Sequence, residues 1–347
     1  SKSKQCYIVV SEIAKNKTGK KKIAVASILA ALAMAGTMQS VDAAIPEGNA
    51  TGNDAFAIGS QSNVNGAFGF AIGNNAKFNS GTLGFAIGVN SEAKSNQSIA
   101  IGYLSKATGR NNGGGGDPAL AVGAGANATA GGATAIGMVA NASNTYATAI
   151  GKSAAASGDS SIAIGQNTKA TQEKAIAIGD TSQATNIGAT ALGRSSEATG
   201  SSATALGSLA SATGTTATAV GMQASASGSE SLAIGNTASA TSGRALAVGT
   251  NAKATGASSV AVGSGAGNSG PLGFASSINS LGSVVNSLKT INYATTAEGD
   301  YAVALGVYAN AKNSGVAVGQ NALAATGGVA IGKGVLEDTG NNLAGGV

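Results

Sequence analysis

The side chains that could do chemistry are few, and their types exclude most of it. The 347 residues include no histidine, which rules out Ser-His-Asp and Cys-His catalysis and every imidazole-held metal. The single thiol, Cys6, lies in a stretch read below as a leader, so no disulfide or nucleophilic cysteine is expected in the body. The most site-like segment is SKATGRNNGGGGDPAL at 105–120. A phosphate loop would need a lysine after the glycines and a helix opening there, and neither follows. Calcium-binding rolls repeat an aspartate in GGxGxD units, whereas here only Asp117 stands beside the glycines. The carboxylates are scattered, so the clustered acids of a pectate-lyase-like centre are missing. No catalytic residue, metal ligand or cofactor is assigned; the chain is expected not to be an enzyme, and its ligand-binding residues stay unknown.

Charge points away from nucleic acid. Of 20 Lys and Arg, seven fall in residues 1–43, opposed there only by Glu12 and Asp42, which leaves 13 bases and 13 acids downstream. The formal +5 therefore belongs to the N-terminus, and the body is neutral. Residues 15–22 (KNKTGKKK) form a basic region and 23–36 (IAVASILAALAMAG) an apolar one. The apolar run is shorter than the ~20 residues of a membrane span. Val41 and Ala43 occupy the −3 and −1 places of a small-residue cleavage site, so 1–43 reads as a secretory signal.

The elements that would carry any function are repetitive. A tetrad of apolar residue or Thr, then Ala, then Ile/Val/Leu, then Gly recurs 18 times, from Gly59 to Gly332, and from Gly123 to Gly263 the spacing is 14 residues without a break. Units that cannot bury a face alone imply a solenoid. Glycine at 54 residues with only three prolines and no Gly-X-Y period excludes collagen. Each coil is expected to hold two short strands and two turns, stacking in parallel into a rod about 85 Å long at ~4.8 Å per coil.

Period-2 alternation divides the side chains of the tetrad. Residues such as Ile58, Ile136, Ile164, Leu206 and Val262, with the residue two before each, are expected to line the inside. The intervening Ala57, Ala135, Ala163, Ala205 and Ala261 are expected to face outward and to need cover from other chains. Five residues after the anchor glycine an Ala column recurs (Ala128, Ala142, Ala156, Ala170), which implies a confined site. Seven after it, Gly158, Gly200, Gly214, Gly228 and Gly256 alternate with Asn144 and Asn186, types that tolerate positive φ at a turn.

Units such as ATGSSATALGSLASATG (198–214) and ASGDSSIAIGQNTKATQ (156–172) resemble the head repeat of the YadA-like trimeric autotransporter adhesins. The stretch SKSKQCYIVVSEIAKN before the basic region resembles the extended signal peptide of large Gram-negative autotransporters. The resemblance implies an all-β, left-handed parallel β-roll, three chains wound together, and display on the outer membrane. It also implies attachment to host matrix (collagen, fibronectin, laminin) or to other bacterial cells. The chain is accordingly divided into an extended signal peptide at 1–43, head repeats at 44–263, an insertion at 264–302, further repeats at 303–335 and a truncated tail at 336–347. The resemblance also implies a neck, a coiled-coil stalk and a C-terminal β-barrel anchor, none of which is read between Gly332 and Val347; whether they follow Val347 is left open.

Departures from the repeat are the places to look for ligands. Five of six phenylalanines (Phe56, Phe68, Phe70, Phe78, Phe85) sit in the first three coils, as an N-terminal cap or as an adhesive tip. The 103–119 span carries seven extra residues, read as a bulging loop. In 264–302, Ile278, Leu281, Val285 and Leu288 fall at a/d spacing and predict a short helix. Lys77, Lys94, Lys106, Arg110, Lys152, Lys169, Lys174, Arg194, Arg244 and Lys253 read as solubilising, with a weak match to acidic glycans or collagen as the alternative. Besides an adhesin head, a biofilm or fibre scaffold without a receptor fits the repeats. An ice-binding solenoid is prompted by Thr134, Thr148, Thr190, Thr204 and Thr218, but Ile162 and Ile176 interrupt that column.

Overall fold

A computed structural model describes residues 48–109, 118–264, 294–337 and 343–344. The leader at 1–43, the glycines at 113–116 with Arg110 and Asp117, and the expected helix over Ile278–Leu288 lie outside the described residues. Within them every regular element is a short β-strand. Each of the 18 tetrads contributes a three-residue strand that ends just before its glycine, from Phe56–Ile58 to Val329–Ile331, and a two-residue strand such as Asn127–Ala128 or Asn141–Ala142 follows. The fold is a parallel β-solenoid with 14-residue spacing.

Two parallel sheets of 19 strands each result, one built from the 18 tripeptides with Leu343–Ala344 and one from the other dipeptides. Every strand but the first and last of each sheet pairs with its equivalents one coil before and one coil after, in strict register: Thr134 beside Thr148, Ala135 beside Ala149, Ile136 beside Ile150. The turns join in. The N–H of Gly151 donates to the carbonyl of Ile136 at 2.8 Å, that of Ser153 to Met138 at 2.9 Å and that of Ser160 to Thr145 at 2.8 Å. Turn amides are therefore satisfied between coils, as buried backbone requires.

The inside of the roll reverses the expectation for the tetrad. The middle alanine points inward and is fully buried (Ala135, Ala163 and Ala205 at 0%), whereas Leu206 is 41% and Ile234 38% exposed. Four small inward positions per coil form the core, as with Ala133, Ala135, Ala140 and Ala142, none above 1% exposed. The reason is steric: two sheets joined by such tight turns leave room between them for methyl groups and little else. Serine replaces alanine at some of these sites by donating to backbone. Ser161 Oγ reaches the Gly158 carbonyl at 2.7 Å and Ser231 Oγ the Gly228 carbonyl at 2.7 Å. The confined alanine column five residues after the anchor is buried throughout, from Ala128 to Ala254.

The left-handed turn residues are also displaced from where the sequence put them. Gly158, Gly200, Gly214, Gly228 and Gly256 are not among the residues of positive φ. They are glycine because a Cβ would lie 1.9–2.0 Å from a carbonyl oxygen of the next coil. The left-handed positions fall two and nine residues after the anchor, for example Val139 at φ 58° and Tyr146 at φ 55°. Side chains are tolerated there at an expected cost of about 1–2 kcal/mol each, because the neighbouring coils fix the bend.

The long spacings do not add coils. Thr296–Ala297 pairs with Lys253–Ala254 on one side and Asn310–Ala311 on the other, so residues 294–302 lie in the roll. The extra residues of that span sit within a single coil, between Val260–Val262 and Thr296–Ala297. Lys106–Ala107 likewise pairs directly with Asn127–Ala128, so 110–117 falls in the sequence between Lys106–Ala107 and the tripeptide strand of the next coil, Leu120–Val122. Leu336–Glu337 and Leu343–Ala344 extend both sheets into the span read as a tail.

Candidate functional site

With alanine and other small side chains filling most of the interior, most larger side chains are left to the outer surfaces, and these differ sharply. Each outward column follows from strand alternation. The tripeptide sheet shows two: Ile, Leu or Val at every third position, and Phe, Ile, Leu, Val or Thr at every first. Thr134 stacks on Thr148, and Thr190 on Thr204 and Thr218, in the latter; Ile162 and Ile176 separate the two short runs, and Leu120 and Leu232 flank them. The dipeptide sheet is polar. Its first outward column contains Lys77, Glu92, Lys106, Lys169 and Lys253. A second runs through Thr129, Thr171, Thr185 and Thr199, whose hydroxyls lie along the stack, as with Thr171 Oγ1 to the Thr185 carbonyl at 3.3 Å.

The described basic residues are not gathered into one patch. Lys77, Lys106, Lys169 and Lys253 are on the dipeptide strands. Lys152, Arg194, Lys174 and Arg244 are on the turns. Lys94 pairs with Glu92 at 2.8 Å and Lys174 with Glu173 at 2.8 Å. The Lys174 ammonium, by hydrogen bond and charge, holds the Glu173 carboxyl below the usual carboxylate range and is itself raised in return. Both groups are fully solvated, so the pair adds little to stability. Among the described residues no three acids or thiols converge as a metal ion would require.

The phenylalanine-rich start divides into three parts. Phe78 alone enters the roll and is fully buried beside Val64. Its ring takes the space of missing side chains: a Cβ on Gly66, Gly69 or Gly84 would meet it at 2.4, 2.2 and 2.0 Å. Phe56, Phe70 and Phe85 form an outward ladder on the tripeptide sheet, with ring centroids 5.8 and 5.2 Å apart. Phe68 stands on a left-handed turn, 46% exposed. So one aromatic closes the core and four remain on the surface. The glycines at 66, 69 and 84 were the sequence signal for the buried one: Gly69 and Gly84 stand directly before the strands at Phe70 and Phe85, where later coils carry Ser98, Ala119 or Ala133.

Phe78→Ala should cost about 3–5 kcal/mol, because the glycine-lined cavity cannot collapse onto an alanine. The loss is expected to be local: trypsin and urea should open the first three coils before the rest. Phe56→Ala, which empties no cavity, is the comparison; equal losses from both variants would refute the internal role of Phe78.

A family model described as the YadA head domain repeat matches residues 50–76, 80–111 and 115–140, then 142–168 onward in overlapping steps of 14 to 240–266, and finally 293–309 and 297–322. No curated protein matches the chain. The matched stretches coincide with the coils of the roll, each spanning about two of them.

Proposed function

The chain belongs to the YadA head-repeat family, and from that membership we propose that it works as the adhesive head of a three-chain fibre, fastening its cell to host extracellular matrix and to neighbouring cells. The coarser statement stands by family: this is an adhesin-type protein of the Gram-negative cell surface. The finer one rests on one observation above all. The Ile/Val/Leu column runs unbroken through all 18 tripeptides of the tetrads, a solvent-facing apolar stripe as long as the roll. Stripes of that extent mark surfaces that are covered in use. Three rolls turning their tripeptide sheets to a common axis cover it, and a closed ring leaves no apolar face over. The polar dipeptide sheets then face outward, with the turns, as the surfaces available to collagen, fibronectin, laminin or another cell. The role is one of binding, without catalysis or cofactor. Residues 1–43 act as the export signal in this reading.

A scaffold that only binds its own kind uses the same stripe, so the discriminating experiment concerns ligand. Purified protein should bind immobilised collagen, fibronectin or laminin saturably, and cells displaying it should clump. Failure on all three with clumping intact would replace the matrix reading by the biofilm-scaffold one. Sedimentation should give a three-chain mass. A stable single chain would sink the bundle.

A further inference from the structure

The dipeptide face changes character along the rod. From Asn49 to Ser143 neither of its outward columns holds an apolar side chain, and Glu92 is the one acid in them; Ala155, Leu323 and Leu336 appear only further on. In the middle of this polar stretch Lys77, Glu92 and Lys106 stack in register on successive strands. The Glu92 carboxylate is drawn sideways: its Oε1 lies 2.8 Å from Lys94 Nζ and accepts from Asn79 Nδ2 at 3.3 Å. Its charge is thereby matched within the second column. Among the described residues no carboxylate pairs with Lys77 or Lys106. Two cations two coil steps apart, about 10 Å, are left on either side of a pinned acid. Amides continue the column at both ends, Asn63 beside Lys77 and Asn127 beside Lys106. Elsewhere on this face lysines stand singly, as Lys169 does between Ala155 and Gln183 and Lys253 between Ser239 and Thr296.

From this row, and resting on the adhesin reading above, we propose that the strip from Asn63 to Asn127 docks an acidic polysaccharide, one that carries its acid on alternate sugars. The composition of the strip selects the class. Two unmatched cations call for an anionic partner, and the neutral amides and hydroxyls around them suit sugar hydroxyls, which donate and accept alike. A protein partner would find no counterpart here for apolar and aromatic side chains, on which the core of such interfaces is built. Spacing selects the pattern. An acid on every sugar would bring an anion over the Glu92 carboxylate, between the two lysines. One acid per disaccharide, a length of about two coil steps, passes over Glu92 with a neutral ring instead. Exposed ion pairs are individually weak, so attachment depends on many strips gripping one long polymer.

Titration of the immobilised full chain tests it with three polymers: hyaluronan, acidic on alternate sugars; polygalacturonate, acidic on every sugar; and polyglutamate. Hyaluronan should bind most tightly, and less so as salt rises. Lys77→Gln with Lys106→Gln should weaken that binding about tenfold, whereas Lys77→Arg with Lys106→Arg should retain it. Lys169→Gln with Lys253→Gln removes the same charge from the same face and should leave binding unchanged. All these side chains point to solvent, so circular dichroism should not move. An equal loss from the Lys169 and Lys253 pair would mean unspecific attraction and overturn the strip. Tighter binding of polygalacturonate overturns the alternate-acid pattern, and tighter binding of polyglutamate replaces the polysaccharide by an acidic peptide. No hyaluronan binding by a protein that still binds collagen, fibronectin or laminin overturns this inference and leaves the adhesin reading standing. Loss of every one of these ligands removes both.

Discussion

Gly207→Ala is expected to lower the stability of the roll by about 3–5 kcal/mol, although it adds one methyl group on a surface turn. Two costs combine. Gly207 holds φ at 137°, a region that other residues enter at about 1–3 kcal/mol. The added Cβ would also lie 2.5 Å from the carbonyl oxygen of Gly221 and 2.7 Å from its carbonyl carbon. That atom is backbone, and the Gly221 N–H is itself fixed to the Leu206 carbonyl at 2.8 Å, so relief requires parting two coils at an overpacking cost of about 1–3 kcal/mol. Gly125→Ala is the control. Its φ of 67° is an ordinary left-handed turn, and the nearest atom to a new Cβ is 3.7 Å away, so about 1–2 kcal/mol is expected. Urea unfolding of both variants measures the difference. Because a solenoid is held by nearest-neighbour interfaces, Gly207→Ala should also create a protease-sensitive point between the coils of Gly207 and Gly221. Equal midpoints for the two variants would show that the close approach is not what demands glycine there.

The anchor glycines were legible in the sequence because both demands act on one residue type at a fixed interval. The same holds for strand positions: each tetrad became a strand, and the register of Ala135 on Ala149 follows from the 14-residue period. What alternation could not reveal was which side of the strand lies inside. Period 2 separates Ala205 from Thr204 and Leu206, but hydrophobicity alone places leucine inward, and the reverse is found. Sheet separation decides that question, and the tight turns set it. The alanine column from Ala128 onward already signalled a methyl-sized interior; combined with the tetrad's own invariant alanine, it points to the observed arrangement.

Ile164→Lys separates the two readings of the tripeptide face most cleanly. Ile164 is the last residue of its tripeptide strand, stacked between Ile150 and Ile178 and only partly buried in the single chain. On an isolated roll a lysine there can extend into water, so the coil should lose no more than about 0.5 kcal/mol. In a bundle the same position points to the axis, and three ammonium groups would be desolvated side by side. A penalty of several kcal/mol per buried ion far exceeds the contribution of the isoleucines, at about 1.5–3 kcal/mol each. Three-chain association should therefore fall at least a thousandfold, about 4 kcal/mol at 1.4 kcal/mol per decade, with the β-rich circular dichroism of the chain unchanged. Ala163→Leu, one residue away, should do the opposite. Its methyl is fully buried between Ala149 and Ala177, so the larger side chain forces the sheets apart and the coil itself fails. Sedimentation and circular dichroism on the two variants read assembly and fold independently. An Ile164→Lys protein that keeps its three-chain mass, beside an Ala163→Leu protein that folds normally, would place the isoleucines inside the roll and remove the reason for a bundle.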